Sequence, residues 1–136
     1  MKPFRVRIPI RFGDVDHARI VYYPRFFHYF HVAFEEFFFA RLARRYVDVI
    51  ERGKLGFPAV RAEAEFRAPL RFGQTLTMEV SVARIGKSSV AFRYVGRRGK
   101  RVAVAGEVTC VCVDMRTFRS RPVPAALRRE LLRHRA

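Results

Sequence analysis

Apolar and polar positions change period several times along the chain. From Phe4 to Ile10 they alternate, with Phe4, Val6, Ile8 and Ile10 on one side and Arg5, Arg7 and Pro9 on the other. That predicts a strand with one buried face, placed where the missing N–H of Pro9 does no harm. Gly13 breaks the alternation, and Asp14–Tyr22 reads as a loop or irregular turn. Pro24 suits the first turn of a helix. From there Phe26, Phe27, Phe30, Ala33, Phe34, Phe37, Phe38 and Leu42 recur at helical spacing. One long helix is predicted from about Pro24 to Ala43, continuing or breaking before Asp48, Glu51 and Gly53. A Gly53–Pro58 turn ends it.

Beyond the turn the period becomes two. Val60, Ala62, Ala64 and Phe66 alternate with charged residues, and Leu76, Met78, Val80 and Val82 alternate with Thr75, Thr77, Glu79 and Ser81. Gly86-Lys87 separates the latter from Ser88–Val95, whose Val90, Phe92 and Tyr94 share a face. Gly96–Lys100 reads as a hairpin turn. Arg101–Val113 is apolar on both faces in its second half, as a central strand would be. Pro122 and Pro124 precede a short amphipathic helix over Ala125–His134. The order is strand, long helix, then four antiparallel strands in a meander, which predicts an α+β fold with one helix against one sheet face.

Length and composition narrow the function. The 136 residues suit one domain with a real core, and half of them are hydrophobic. There are 28 Lys+Arg against 12 Asp+Glu, a net charge of +16, and almost all the cations are arginine. Such a field attracts nucleic acid, an anionic membrane surface or a phosphate-bearing small molecule. The cations are dispersed, however, with clusters only at Arg44-Arg45, Arg128-Arg129 and Arg97–Arg101, and dispersed charge is ordinarily a solvated surface. Cys110 and Cys112 fall on one face of a strand, too close for an unstrained bridge, and read as buried thiols. Lys2, Arg5, Arg7 and Arg11 interrupt any leader-like apolar run. No apolar stretch reaches the roughly 18 residues a membrane span requires. A cytoplasmic location is expected.

Candidate chemistry concentrates in Phe12–Pro24. An Asp in a Gly-containing turn before a helix is ordinarily a turn or capping residue. Asp16 has a second possibility, because the first N–H groups of a helix lack partners and could polarise a carbonyl oxygen. A carboxylate beside them could attack that carbonyl or deprotonate a water. Asp14, Asp16 and His17 could ligate a metal, but Arg11 and Arg19 oppose a cation and no further ligand stands nearby, so no metal is expected. His28, His31 and Glu35 lie along one helix face, a polar stripe or pocket wall. Neither a G-x-S-x-G nucleophile nor a phosphate-cradling glycine loop occurs, and no cofactor is implied.

The run Phe12-Gly13-Asp14-Val15-Asp16…Ile20-Val21-Tyr22-Tyr23-Pro24 resembles the signature of the 4-hydroxybenzoyl-CoA thioesterase branch of hot-dog-fold acyl-CoA thioesterases. Gly53-Lys54-Leu55-Gly56-Phe57-Pro58, followed by the alternating strand Val60–Ala68, matches a second feature of that family. The resemblance covers about Arg5 to Val113. It implies a hot-dog fold, an antiparallel sheet wrapped around one long helix, and an acyl-CoA substrate hydrolysed to acid and CoA. It further implies that Asp16 is the nucleophile or general base and that the Tyr23 backbone amide polarises the carbonyl. Arg19 stands where the family usually has Gly, and could lower the Asp16 pKa or meet the pantetheine or phosphate end of the substrate. Arg84, Lys87 and Ser88 become candidates for CoA binding, with Arg97 and Arg98 behind them, and Phe27, Phe30, His31 and Phe34 for the acyl pocket. A homodimer or homotetramer is implied, with sites at the interface. The competing reading is a non-catalytic basic module for nucleic acid or an acidic partner. The dispersed charge, the acid turn and the absence of a nucleic-acid motif argue against it.

Overall fold

In the computed structural model, which describes residues 2–136, a five-stranded antiparallel sheet curls around one long helix, the hot-dog arrangement. Strand β1 (Phe4–Pro9) leads through a single 3-10 turn at Phe12–Asp14 to helix α1 (Pro24–Arg41). Helix α2 (Tyr46–Glu51) and the two-residue strand β2 (Leu55–Gly56) follow. Then come β3 (Ala59–Phe66), β4 (Thr75–Ile85), β5 (Ser89–Arg98), β6 (Arg101–Val111), the short β7 (Val113–Asp114) and helix α3 (Ala125–Leu132). The predicted long helix breaks after Arg41, and Ala43 takes a positive φ of 53° before α2 begins.

Helix α1 buries Phe26, Tyr29, Phe30, Ala33, Phe34, Phe37 and Phe38. These positions advance by three and four, so they form one stripe aimed at the sheet. The opposing surface is built from the alternating residues: Leu76, Met78, Val80 and Val82 on β4, and Val90, Phe92 and Tyr94 on β5. Cross-strand register aligns Phe4, Val80, Tyr94, Gly106 and Ala64 in one row across the sheet. The row narrows at Gly106 and Ala64, and the missing Cβ of Gly106 lets the helix approach β6 closely. A Cβ on Gly106 would lie 2.7 Å from the Phe30 ring. Phe30 stacks on Tyr94 with centroids 4.7 Å apart.

Strand order is β1-β4-β5-β6-β3. The four-strand meander is therefore corrected to three, β4-β5-β6, with β3 on the far edge beside β6. The reason is that β1 occupies the outer side of β4, so the chain leaving β3 must cross one end of the sheet. β3 stays uncovered: Val60 is 63% and Phe66 44% exposed, although its alternation matches that of a half-buried strand. The hairpin predicted at Gly96–Lys100 also tightens, because β5 runs on to Arg98 and leaves only Gly99 and Lys100 as the turn. Cys110 and Cys112 are free and buried.

Candidate active site

The acid turn is a miniature hairpin. Val15 and Val21 form an antiparallel bridge. Asp16 N–H donates to Ile20 O at 3.0 Å, and Arg19 N–H donates to Asp16 O at 2.9 Å. The chain crossing from β3 to β4 pins it, with Val21 N–H donating to Leu70 O at 2.8 Å and Gly73 N–H to Ile10 O at 3.1 Å. Both acids are held, but differently.

Asp14 faces inward. Its Oδ2 accepts the Arg11 N–H at 2.9 Å, and its carboxylate lies 3.9 Å from Arg25 Nε on the first turn of α1. The buried Tyr29 hydroxyl lies toward it, and the phenol pKa is pushed up, first by burial and then by the Asp14 carboxylate. Asp14 thus ties the turn to the helix.

Asp16 is exposed. Its Oδ1 accepts the Ala18 N–H at 2.8 Å, which fixes the carboxylate and leaves Oδ2 without a hydrogen bond among the described residues. Tyr23 caps the start of α1. Tyr22, Arg25 and Phe26 N–H groups find acceptors in Asp14, Tyr22 and Tyr23 carbonyls, whereas the Tyr23 N–H takes no acceptor among the described residues. A half-free carboxylate and a free amide at the positive end of a helix therefore belong to one short stretch of chain. Arg19 lies between them in sequence, exposed, at φ +68°, and in no ion pair among the described residues.

A cavity of about 330 Å³ opens between α1 and the β3 side of the sheet. Phe27, Phe30, His31 and Phe34 form its helix wall, and Ala62, Tyr94, Val108 and Cys110 form much of the sheet wall. Burial pushes the Cys110 thiol up to about 11, so it stays protonated and weakly nucleophilic. His31 Nε2 lies 3.1 Å from Glu35 Oε2, and its ring stacks on Phe34. Phe66 links turn and cavity, its ring 5.9 Å from Tyr23 and 6.4 Å from Phe27. Tyr46 and Phe57 also line the cavity, although the sequence marks Phe57 only as part of a turn and Phe66 only as a strand residue. Nothing local distinguishes a cavity-lining ring from a core ring, because the difference is whether another element covers it. A second cavity, about 410 Å³, lies away from the acid turn among α1, α2 and α3 and is lined by Ala43, Val49 and Leu127.

Arg84, Lys87 and Ser88 are not brought to Asp16 within the chain. They sit at the opposite end of β4 from Thr75, which pairs with Pro9 just before the acid turn. Ten residue steps along β4 at ~3.3 Å each separate the two ends by roughly 30 Å. Arg84 pairs with Glu107 on the outer sheet face. The Lys87–Ser88 turn is clasped by α3 and by the chain just after β6: Arg128 donates to Lys87 O at 3.0 Å, and Cys112 N–H to Ser88 O at 2.7 Å. Arg97 does lie at the acid-turn end, but it is engaged by Glu79.

Residues 10–131 match the thioesterase-like superfamily. A 1,4-dihydroxy-2-naphthoyl-CoA hydrolase from Synechococcus elongatus is 24% identical over 131 residues, covering 93% of both chains. The enzyme of the same name from Prochlorococcus marinus is 31% identical over 105 residues, or 71% of this chain and 66% of its own. Among solved structures, a gentisyl-coenzyme A thioesterase superposes with a TM-score of 0.84 at 26% identity, covering 92% of this chain and 99% of its own. A thioesterase superfamily protein from Jannaschia sp. shares the fold, with a TM-score of 0.93 at 24% identity and coverage of 98% and 94%.

Proposed function

We propose that this chain, which belongs to the thioesterase-like superfamily, hydrolyses an acyl-CoA thioester to the free acid and CoA. Relatedness to CoA-thioester hydrolases supports thioester hydrolysis in general. The observation that carries the finer reading is that Asp16 Oδ2 and the Tyr23 N–H both lack a partner among the described residues within one short turn, whose Tyr23 ring reaches the Phe27 wall of the cavity through Phe66. The acyl group lies along Phe27, Phe30 and Phe34, and an aromatic acyl group fits those walls best. The Tyr23 amide donates to the thioester carbonyl oxygen as negative charge develops there. Asp16 either attacks the carbonyl carbon, giving an anhydride that water then opens, or takes a proton from the water that attacks. In both routes the C–S bond breaks, water supplies the new carboxyl oxygen, and the CoA thiolate is protonated.

The working unit in this proposal is at least a homodimer. Antiparallel pairing of two β3 edges about a two-fold axis reverses the second sheet. It brings the partner's β4–β5 turn to the same end as Asp16, which reconciles Arg84, Lys87 and Ser88 with a CoA-binding role. Arg19, exposed and in no ion pair among the described residues, is a candidate to meet the substrate's phosphates.

The test is turnover of an acyl-CoA panel, including benzoyl- and short-chain thioesters, by wild type and Asp16→Asn. The variant should lose at least ~100-fold in kcat, because a positioned base or nucleophile contributes about that much or more. Equal rates would remove Asp16 from the chemistry, and no turnover of any thioester would remove the reading.

A further inference from the structure

Three loops meet at the acid-turn end of the sheet. The turn after β1 and the β3–β4 crossing are joined by reciprocal bonds between Ile10 and residues 73–74. The crossing in turn borders the β5–β6 hairpin, where Pro69 and Leu70 share a surface hollow with Arg98 and Arg101. At the tips of the first two loops stand Phe12 and Phe72, 77% and 60% exposed, their rings edge to face with centroids 5.7 Å apart. No other element covers them. They lie beside β1, at the opposite edge of the sheet from β3, so β3 pairing leaves them bare. The surrounding cations Arg11, Arg71, Arg98, Lys100 and Arg101 enter no ion pair among the described residues. Within the three loops the only carboxylates are Asp14, which is bound inward, and Asp16.

We propose that this end of the molecule docks on an anionic lipid bilayer, with Phe12 and Phe72 entering the headgroup–acyl boundary and the arginines contacting lipid phosphates. Substrate phosphates would account for the cations but not for two rings this open to solvent at the tips of neighbouring loops. Paired aromatic rings ringed by unneutralised cations are what an anionic interface selects: the rings gain by leaving water, and each cation adds attraction near the surface. The site is independent of hydrolysis and stands whether or not Asp16 is catalytic.

Co-sedimentation of the full chain with phosphatidylcholine vesicles, with and without phosphatidylglycerol, tests this. Binding is expected only with phosphatidylglycerol. Phe12→Ser/Phe72→Ser keeps every charge and should weaken partitioning by about tenfold or more, given what two buried rings contribute. Arg11→Gln/Arg71→Gln should weaken it more than the charge-matched Arg116→Gln/Arg119→Gln on the distant β7 hairpin. Thermal melting checks that each variant is folded. Equal losses from the two arginine pairs, or no loss from the phenylalanine pair, would assign binding to the general +16 field and overturn the proposal. So would a phenylalanine variant that keeps vesicle binding but changes oligomeric state, weakens duplex DNA binding, or raises KM for acyl-CoA.

Discussion

Arg19 is the residue that most separates this chain from the pattern it resembles, and its backbone accounts for part of the difference. Its φ of +68° lies in the left-handed region, where glycine is at ease and an arginine is strained. That conformation costs about 1–2 kcal/mol for a residue with a Cβ, and glycine's extra freedom in the unfolded chain offsets part of it. Arg19→Gly should therefore raise stability by roughly 0.5–1 kcal/mol in denaturant melts, while Arg19→Val should lower it. If Arg19 also contacts substrate phosphate, Arg19→Gly raises KM for acyl-CoA and leaves KM for the matching acyl-pantetheine unchanged. The unusual residue was visible in the sequence; the strain was not, because φ at one position depends on the hairpin closed around it. His134 carries a second prediction at this scale. Burial, then Arg41 and Arg133, lowers its pKa, and its ring packs edge to face on Phe37. A lowered folded pKa means the unfolded chain takes the proton first. The contribution is complete above the ordinary value of about 6.5 and is lost as pH falls through the folded value. Tm should drop from pH 7.5 to pH 5, and by less in His134→Gln.

Among elements, helix α1 and its sheet surface were readable because their periods, three-to-four and two, are enforced by the same buried face. The close approach at β6 was not, since Gly106 looks like any strand glycine until Phe30 is placed over it. A Cβ there would meet Phe30 at 2.7 Å and the Glu63 carbonyl at 2.6 Å, and the carbonyl belongs to a neighbouring strand that cannot step aside. Gly106→Ala should cost about 1–3 kcal/mol in urea unfolding, the range for overpacking a filled site. Destabilisation under ~0.5 kcal/mol would mean that helix and sheet slide apart freely. The sheet order escaped sequence reasoning for a different reason. Hairpins between adjacent strands are local, so β4-β5-β6 could be traced, but nothing in Val60–Phe66 records that its neighbour is β6 rather than β4. Likewise, the spacing that placed Arg84, Lys87 and Ser88 in one turn carries no information about how far that turn stands from Asp16.

At the scale of the whole molecule, β3 is the element the single chain leaves unfinished. It presents an unpaired edge, its Val60 and Phe66 are open to solvent, and the cavity beside the helix is walled by it on one side only. Edge strands on stable monomers are shortened, bulged away or studded with inward charge. β3 instead runs for eight residues, with its one register shift confined to the Ala59–Arg61 end. That surface is what antiparallel pairing with a second copy would cover, and the same pairing would bring the partner's far turn to the acid-turn end of the sheet. Wild type should therefore sediment as two or four chains at micromolar concentration. Val60→Asp puts a carboxylate on each β3 edge and should shift the protein toward monomer, with a fall in kcat/KM on acyl-CoA that tracks the monomer fraction. Its folding should be little affected, because Val60 is exposed within the chain. Sedimentation velocity and turnover measured on the same samples decide the matter. A wild-type monomer with full activity would leave β3 a simple edge and would require Arg84, Lys87 and Ser88 to be dropped from the substrate site.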